Sequence, residues 1–95
     1  MSHDIRNNTA ASQFETTIDG HTAYIAYDLE EPKRIVFTHT LVPDALAGRG
    51  LAGELATYVL DHARKEGLKV VPQCPFVASY IKKHPEYQDL VTTSE

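Results

Sequence analysis

Three glycines and one cysteine mark where this chain could do chemistry. Gly48, Gly50 and Gly53 fall within Val42-Pro43-Asp44-Ala45-Leu46-Ala47-Gly48-Arg49-Gly50-Leu51-Ala52-Gly53, between a strand-like segment and a strongly helical one. Glycine permits a tight turn and removes the Cβ that would hold a ligand away. The first NH groups of the following helix have no partner inside it, and with the helix dipole they favour an anion such as a phosphate. The spacing is not the dinucleotide fingerprint, and no Lys-Ser or Lys-Thr follows Gly50, so the nucleotide P-loop is excluded as well. Arg49 reads either as a solvated loop charge or as a partner for a phosphate. Cys74 stands directly before Pro75, a favoured first-turn residue, and the free NH groups of a helix start favour a thiolate. A lone cysteine reads equally as a small buried hydrophobe, and spacing leaves both readings open. His39 is the candidate general base, since imidazole exchanges protons near neutrality. Strand alternation places it on one face with Ile35, Phe37 and Leu41, so it also reads as a core histidine bonded to a backbone carbonyl. His21, His62 and His84 have no ligand-like spacing with acids or with Cys74, and no metal is expected.

The elements that must position these residues are legible in outline. Phe14 to Ile18 alternates apolar or Thr positions with Glu15 and Thr17, and Asp19-Gly20 is a strong two-residue hairpin signal. A second strand, Thr22 to Leu29, places Ala23, Ile25, Tyr27 and Leu29 on one face. Glu30-Glu31-Pro32-Lys33 is turn chemistry, and a third strand from Arg34 to Val42 completes an antiparallel meander. Apolar residues at 51, 52, 55, 56, 59, 60 and 63 predict an amphipathic helix to about Glu66, stopped by Arg64, Lys65 and Gly67. Val70-Val71 reads as a short buried strand, parallel to the strand ending at Val42 because a helix intervenes. Pro72 has no NH, so pairing lapses on one side of it, which either opens a gap or ends an edge strand. A second helix is predicted from Pro75 to about Lys83, with Phe76, Val77, Tyr80 and Ile81 inward. Met1 to Ala11 lacks periodicity and reads as a flexible tail, His3 included, which leaves residues 12–95 as one domain of α+β class.

Composition narrows the function classes. A chain of 95 residues has room for one core, burying above roughly 60% of its unfolded surface. Hydrophobic content of 42% with 23% charged residues is globular rather than disordered. A net charge of −4 with nine scattered Lys and Arg argues against a nucleic-acid binder. The single Cys excludes an intrachain disulfide and fits a reducing compartment. No apolar run reaches the roughly 18 residues of a membrane span, and Met1 to Asn8 lacks the apolar core of a signal peptide. A cytoplasmic protein without membrane attachment is expected.

The glycine turn resembles the pyrophosphate loop of the GNAT superfamily of acyl-CoA-dependent N-acetyltransferases, written Gln/Arg-x-x-Gly-x-Gly/Ala. Aligned on Ala47-Gly48-Arg49-Gly50-Leu51-Ala52, Gly50 and Ala52 match, whereas Ala47 stands where the superfamily has Gln or Arg. The chain is more closely similar to a small single-domain branch in which a strand end of the form His-Thr-x-Val, this loop and a later Cys occur together. Here those are His39-Thr40-Leu41-Val42, Gly48 to Gly53, and Cys74-Pro75-Phe76, and the resemblance spans roughly Tyr24 to Tyr87. It implies an α+β, GNAT-like sheet: a meander continuing into a parallel strand pair, a long helix after the loop and a shorter one later. It implies acetyl-CoA as co-substrate, held by backbone at Leu41 and Val42 and by Gly48, Arg49, Gly50, Leu51, Ala52 and Gly53. It also implies an amine acceptor of unknown identity, Cys74 as acetyl carrier or its neighbour, and Tyr80 of Tyr80-Ile81-Lys82 as general acid toward the CoA thiolate. Tyr80 equally fits the core, at helical spacing with Phe76 and Ile81. The chain lacks the opening strand and helices that full-length GNAT enzymes use to bind the acceptor, so the acceptor site is expected to be either shallow or built with a partner, another protein or a second copy in a homo-oligomer. Three functions follow: an N-acetyltransferase working by direct attack or through acetyl-Cys74, a CoA or acyl-CoA binding module with little or no turnover, and an interaction domain whose glycine loop is only a tight turn.

Overall fold

A computed structural model describes residues 4–30 and 33–92. Five strands form one mixed sheet in the order of the chain: β1 (Arg6–Asn8), β2 (Gln13–Ile18), β3 (His21–Glu30), β4 (Arg34–Leu41) and β5 (Lys69–Pro72). The first four run antiparallel, and β5 lies parallel to β4. Helix α1 (Leu51–Glu66) makes the crossover, and α2 (Pro75–Lys83) follows β5. This is the expected α+β meander with a parallel pair. The Asp-Gly hairpin forms as predicted, with Asp19 at φ 52° and Gly20 at φ 78° supplying the left-handed backbone that a tight β-turn needs. Of the Glu30 to Lys33 turn, Glu31 and Pro32 lie outside the described residues, as does His3.

The segment expected to be a tail contributes β1 instead. Arg6, Asn7 and Asn8 pair with Glu15, Phe14 and Gln13. The pairing is held by side chains that no apolar periodicity reveals. Glu15 accepts from Gln13 at 2.7 Å and Asn8 at 3.2 Å, and Arg6 approaches at 3.5 Å. Chiefly the Gln13 amide, then that of Asn8, holds the Glu15 carboxyl below its ordinary range.

Both helices pack on one face of the sheet. Leu51, Leu55, Ala56, Val59, Leu60 and Ala63 of α1, with Val77 and Ile81 of α2, bury against Phe14, Ala23, Ile25, Tyr27, Ile35, Phe37 and Val70. The periodicity that defines the apolar stripe thus does build the core, each fully buried Leu or Val contributing about 1.5–3 kcal/mol relative to exposure. No described helix covers the other face.

One irregularity decides where the strand-end residues point. Along the β3–β4 ladder, Tyr27 opposes Phe37 while Ala26 opposes His39, so Thr38 has no counterpart and forms a β-bulge. Because side chains alternate faces with period two, one extra residue exchanges the faces of everything beyond it. Thr40 therefore pairs with Ile25 on the helix-covered face, and His39 and Leu41 pair with Ala26 and Tyr24 on the other.

Candidate functional site at the parting of two strands

The parallel pair is short. It runs from Arg34 with Lys69 to Phe37 with Pro72, the last rung falling on the residue that has no NH. Cys74 N–H then donates to the Phe37 carbonyl at 2.8 Å, and beyond this point β4 continues along β3 alone. The gap that Pro72 permits is therefore present, with Thr38 to Leu41 lining its β4 side and the start of α2 opposite.

The glycine turn lies between β4 and α1. After Leu41, Pro43 leads into a 3-10 turn at Asp44–Leu46, whose buried Leu46 anchors it to the core. The chain then passes through Gly48 at φ 82° and Gly50 at φ 71°, and Gly50 caps α1. Both conformations are left-handed, which explains glycine at each. The first intrahelical bond is Glu54 N–H to the Gly50 carbonyl at 3.1 Å, so the NH groups of Leu51, Ala52 and Gly53 precede it. Gly53 differs from the other two. Its backbone is ordinary helix, and a Cβ there would meet nothing within 4 Å. The fold does not require glycine at 53, and its absence of a side chain leaves helix backbone open to approach.

Cys74 caps α2, is 2% exposed, and places its Sγ 3.1 Å from the Thr40 Oγ1. The sulfur thus meets β4 at the gap. Arg49 is turned toward the β2–β3 hairpin, its Nη1 3.9 Å from Asp19 Oδ2 in an exposed ion pair.

The family model of the GCN5-related N-acetyl-transferases matches residues 13–90. The chain belongs to the GCN5-related N-acetyltransferases. Human Protein NATD1 is 33% identical over 87 residues, covering 90% of this chain and 74% of the human protein. Protein NATD1 of Xenopus tropicalis is 31% identical over 83 residues, covering 85% of this chain and 76% of its own. A GCN5-like protein from Staphylococcus aureus, solved by NMR, superposes with a TM-score of 0.75 at 31% identity, covering all (100%) of this chain and 94% of its own.

In this GCN5-related chain the expected site residues divide into two groups. Leu41 ends β4 beyond its parting from β5, Val42 and the glycine turn follow it in the chain, and Cys74 meets β4 at the gap through Thr40. His39 does not lie on the face of Ile35 and Phe37, and it is not a core histidine. The bulge turns it to the helix-free face, exposed, with its ring edge-on to Tyr24 at 6.0 Å between centroids. Tyr80 is half-buried against α1, where its hydroxyl bonds Thr57 Oγ1 and its ring stacks on His84 at 3.9 Å. That contact braces α1 against α2. Two residues escaped the sequence reading: Thr40, which alternation alone would put on the face opposite Phe37, and Asp19, which reads only as half of a turn. The single sequence clue to Thr40 is its place within His39-Thr40-Leu41-Val42.

Proposed function

We propose that this chain is an acetyl-CoA-dependent N-acetyltransferase. One observation carries the reading: open helix backbone at Leu51 to Gly53, behind left-handed Gly48 and Gly50, follows directly on the strand that parts from β5 at Pro72. An anion at the helix start and an extended amide-bearing arm along the unpaired edge of β4 are the two ligand features that this backbone can satisfy. The pyrophosphate of CoA is assigned to the NH groups of the turn, its pantetheine amides to the backbone near Leu41 and Val42, and its thioester to the gap beside Cys74. The acceptor is an amine, which attacks the thioester carbonyl directly or takes the acetyl group from Cys74. His39, on the helix-free face, is assigned as the base for an amine arriving from that side. A partner chain or second copy would then add to a shallow acceptor surface. The lone thiol suits a reducing, cytoplasmic setting.

The 2% exposure of Cys74 favours a second reading, a CoA-binding module with little or no turnover. Two measurements separate the readings. At ligand a hundred times its dissociation constant, binding adds about 2.7 kcal/mol of stability, so CoA and acetyl-CoA should both raise the melting temperature. Intact mass after incubation with acetyl-CoA, alone and with candidate amines, should show acetyl transfer. Stabilisation without transfer supports the module, and no stabilisation at millimolar ligand overturns both readings.

A further inference from the structure

The bulge at Thr38 and the chemistry of residue 40 converge on one contact. Position 40 lies on the helix-covered face of β4, opposite buried Ile25 and following buried Phe37 and Ile35 on that face. A β-branched apolar residue would suit such a place, and threonine puts a hydroxyl there instead. Without the bulge the hydroxyl would point to the other face. Bulges often re-aim a side chain beside a functional site, and here the re-aimed oxygen ends 3.1 Å from the Cys74 sulfur, where β4 and β5 part.

We propose that Thr40 is a positioning residue for acetyl transfer at Cys74, an inference that rests on the acetyltransferase reading above. A hydroxyl can accept from a thiol S–H and donate to a thiolate, so Thr40 can hold the sulfur in one rotamer through both states. In the first half of the reaction the Cys74 Sγ–C bond forms as the C–S bond of the acetyl-CoA thioester breaks. The proton released by the thiol is taken up by the departing CoA sulfur, by way of solvent. In the second half the acceptor nitrogen bonds the acetyl carbon, the Sγ–C bond breaks, and the proton lost by the amine returns to Cys74. No oxidant or further reactant enters. Thr40 makes and breaks no covalent bond, and its contribution is to aim the sulfur and to meet its changing charge.

The experiment compares wild type with Thr40→Val, which keeps the shape and removes the hydroxyl, and Thr40→Ser, which keeps the hydroxyl. Each is followed by intact mass during reaction with acetyl-CoA and, separately, with iodoacetamide on the folded protein at one pH. A hydrogen bond to a charged group sets the expected scale, so Thr40→Val should slow acetyl-Cys74 formation about tenfold or more with KM for acetyl-CoA unchanged. Thr40→Ser should stay within about twofold of wild type, and Thr40→Val should melt no lower than wild type. A Val variant as fast as wild type overturns the proposal, as does a Ser variant as slow as Val, which would show that a hydroxyl at position 40 is not what sets the rate. If wild type forms no acetyl adduct, the covalent route fails by itself. Iodoacetamide then still judges Thr40: the same order, with Val about tenfold slower and Ser restored, upholds it as the residue that aims the sulfur, and equal rates overturn it.

Discussion

Gly53 sits in ordinary helical backbone with open space where a Cβ would stand, while Gly48 and Gly50 hold positive φ. Replacing Gly53 by Ala should therefore stabilise the free protein by about 0.4–1 kcal/mol, because glycine inside a helix loses more chain entropy on folding. If the pyrophosphate rests on the first turn of α1, the same methyl should crowd it and reduce the ligand-induced rise in melting temperature. Opposite signs for the free and bound proteins are the expected result, and a variant that gains both stability and CoA affinity would remove Gly53 from the site. Gly50→Asp is the harsher test. Asp tolerates left-handed backbone better than most residues, so the fold should survive while a carboxylate repels the phosphate and abolishes the CoA-induced shift. Arg49 adds a charge argument. Its exposed pairing with Asp19 at 3.9 Å is weak, and a phosphate would compete for the same guanidinium. Arg49→Ala should weaken CoA binding by no more than about 1.5–3 kcal/mol, and Asp19→Asn should tighten it at low salt, both effects shrinking as salt rises. Isothermal titration at two ionic strengths decides this, and an Asp19→Asn variant of unchanged affinity would leave the hairpin outside the site.

Strand β4 is the element on which the site turns, because its bulge, its short pairing with β5 and its exit toward the glycine turn all act within eight residues. A bulge bends its strand and increases the local twist, which helps β4 leave β5 at Phe37. Deleting Thr38 isolates that bend. The deletion restores regular pairing with β3 yet keeps Thr40 on the helix-covered face and His39 on the other, since only the extra residue is removed. The shortened protein should fold and melt near wild type but lose its stabilisation by CoA, because a straighter β4 closes on β5. A deletion variant that binds CoA normally would show that Pro72 alone makes the gap. The limits of the sequence are visible in the same element. The Asp19-Gly20 hairpin, the stripe of α1 and the missing NH of Pro72 are local signals, and each appears in the fold where it was expected. The bulge is not local: Thr38 carries no mark of it, and the strict alternation that correctly orients Ile35 and Phe37 sends His39 to the wrong face. The three-residue β1 is equally hidden, since polar Arg6, Asn7 and Asn8 become a strand through β2 and the Glu15 carboxylate. The glycine turn and Cys74 were legible as candidates, and the contact of Cys74 with Thr40 was not.

Taken whole, the molecule starts α1 at the glycine turn and fastens its other end. The NH groups of Leu51 to Gly53 precede the first intrahelical bond, whereas the later turns are tied to the 3-10 segment Pro85–Leu90. Arg64 donates to both carboxylate oxygens of Asp89 at 3.1 Å and to the Glu86 carbonyl at 2.7 Å, and Lys69 of β5 reaches the Asp89 carbonyl. Beneath Arg64, the buried Tyr87 donates its hydroxyl to Asp61 at 2.9 Å. The fastening titrates at both extremes of pH. The Arg64 hydrogen bonds hold the Asp89 carboxyl below its ordinary range, so its contribution is present above the unfolded carboxylate range and is lost as pH falls through the folded value. Tyr87 runs the other way. Burial first, then the hydrogen bond to Asp61, pushes its phenol from 10.0 up to about 12. Between those values the folded state keeps a proton that the unfolded chain gives up, so this contribution is complete below pH 10 and disappears as pH rises toward 12. Tyr87→Phe removes the titrating group along with one hydrogen bond, so it should lower stability modestly at neutral pH and flatten the alkaline limb. Urea unfolding of wild type and Tyr87→Phe across that range provides the check, and two limbs falling in parallel would assign the alkaline loss to another group.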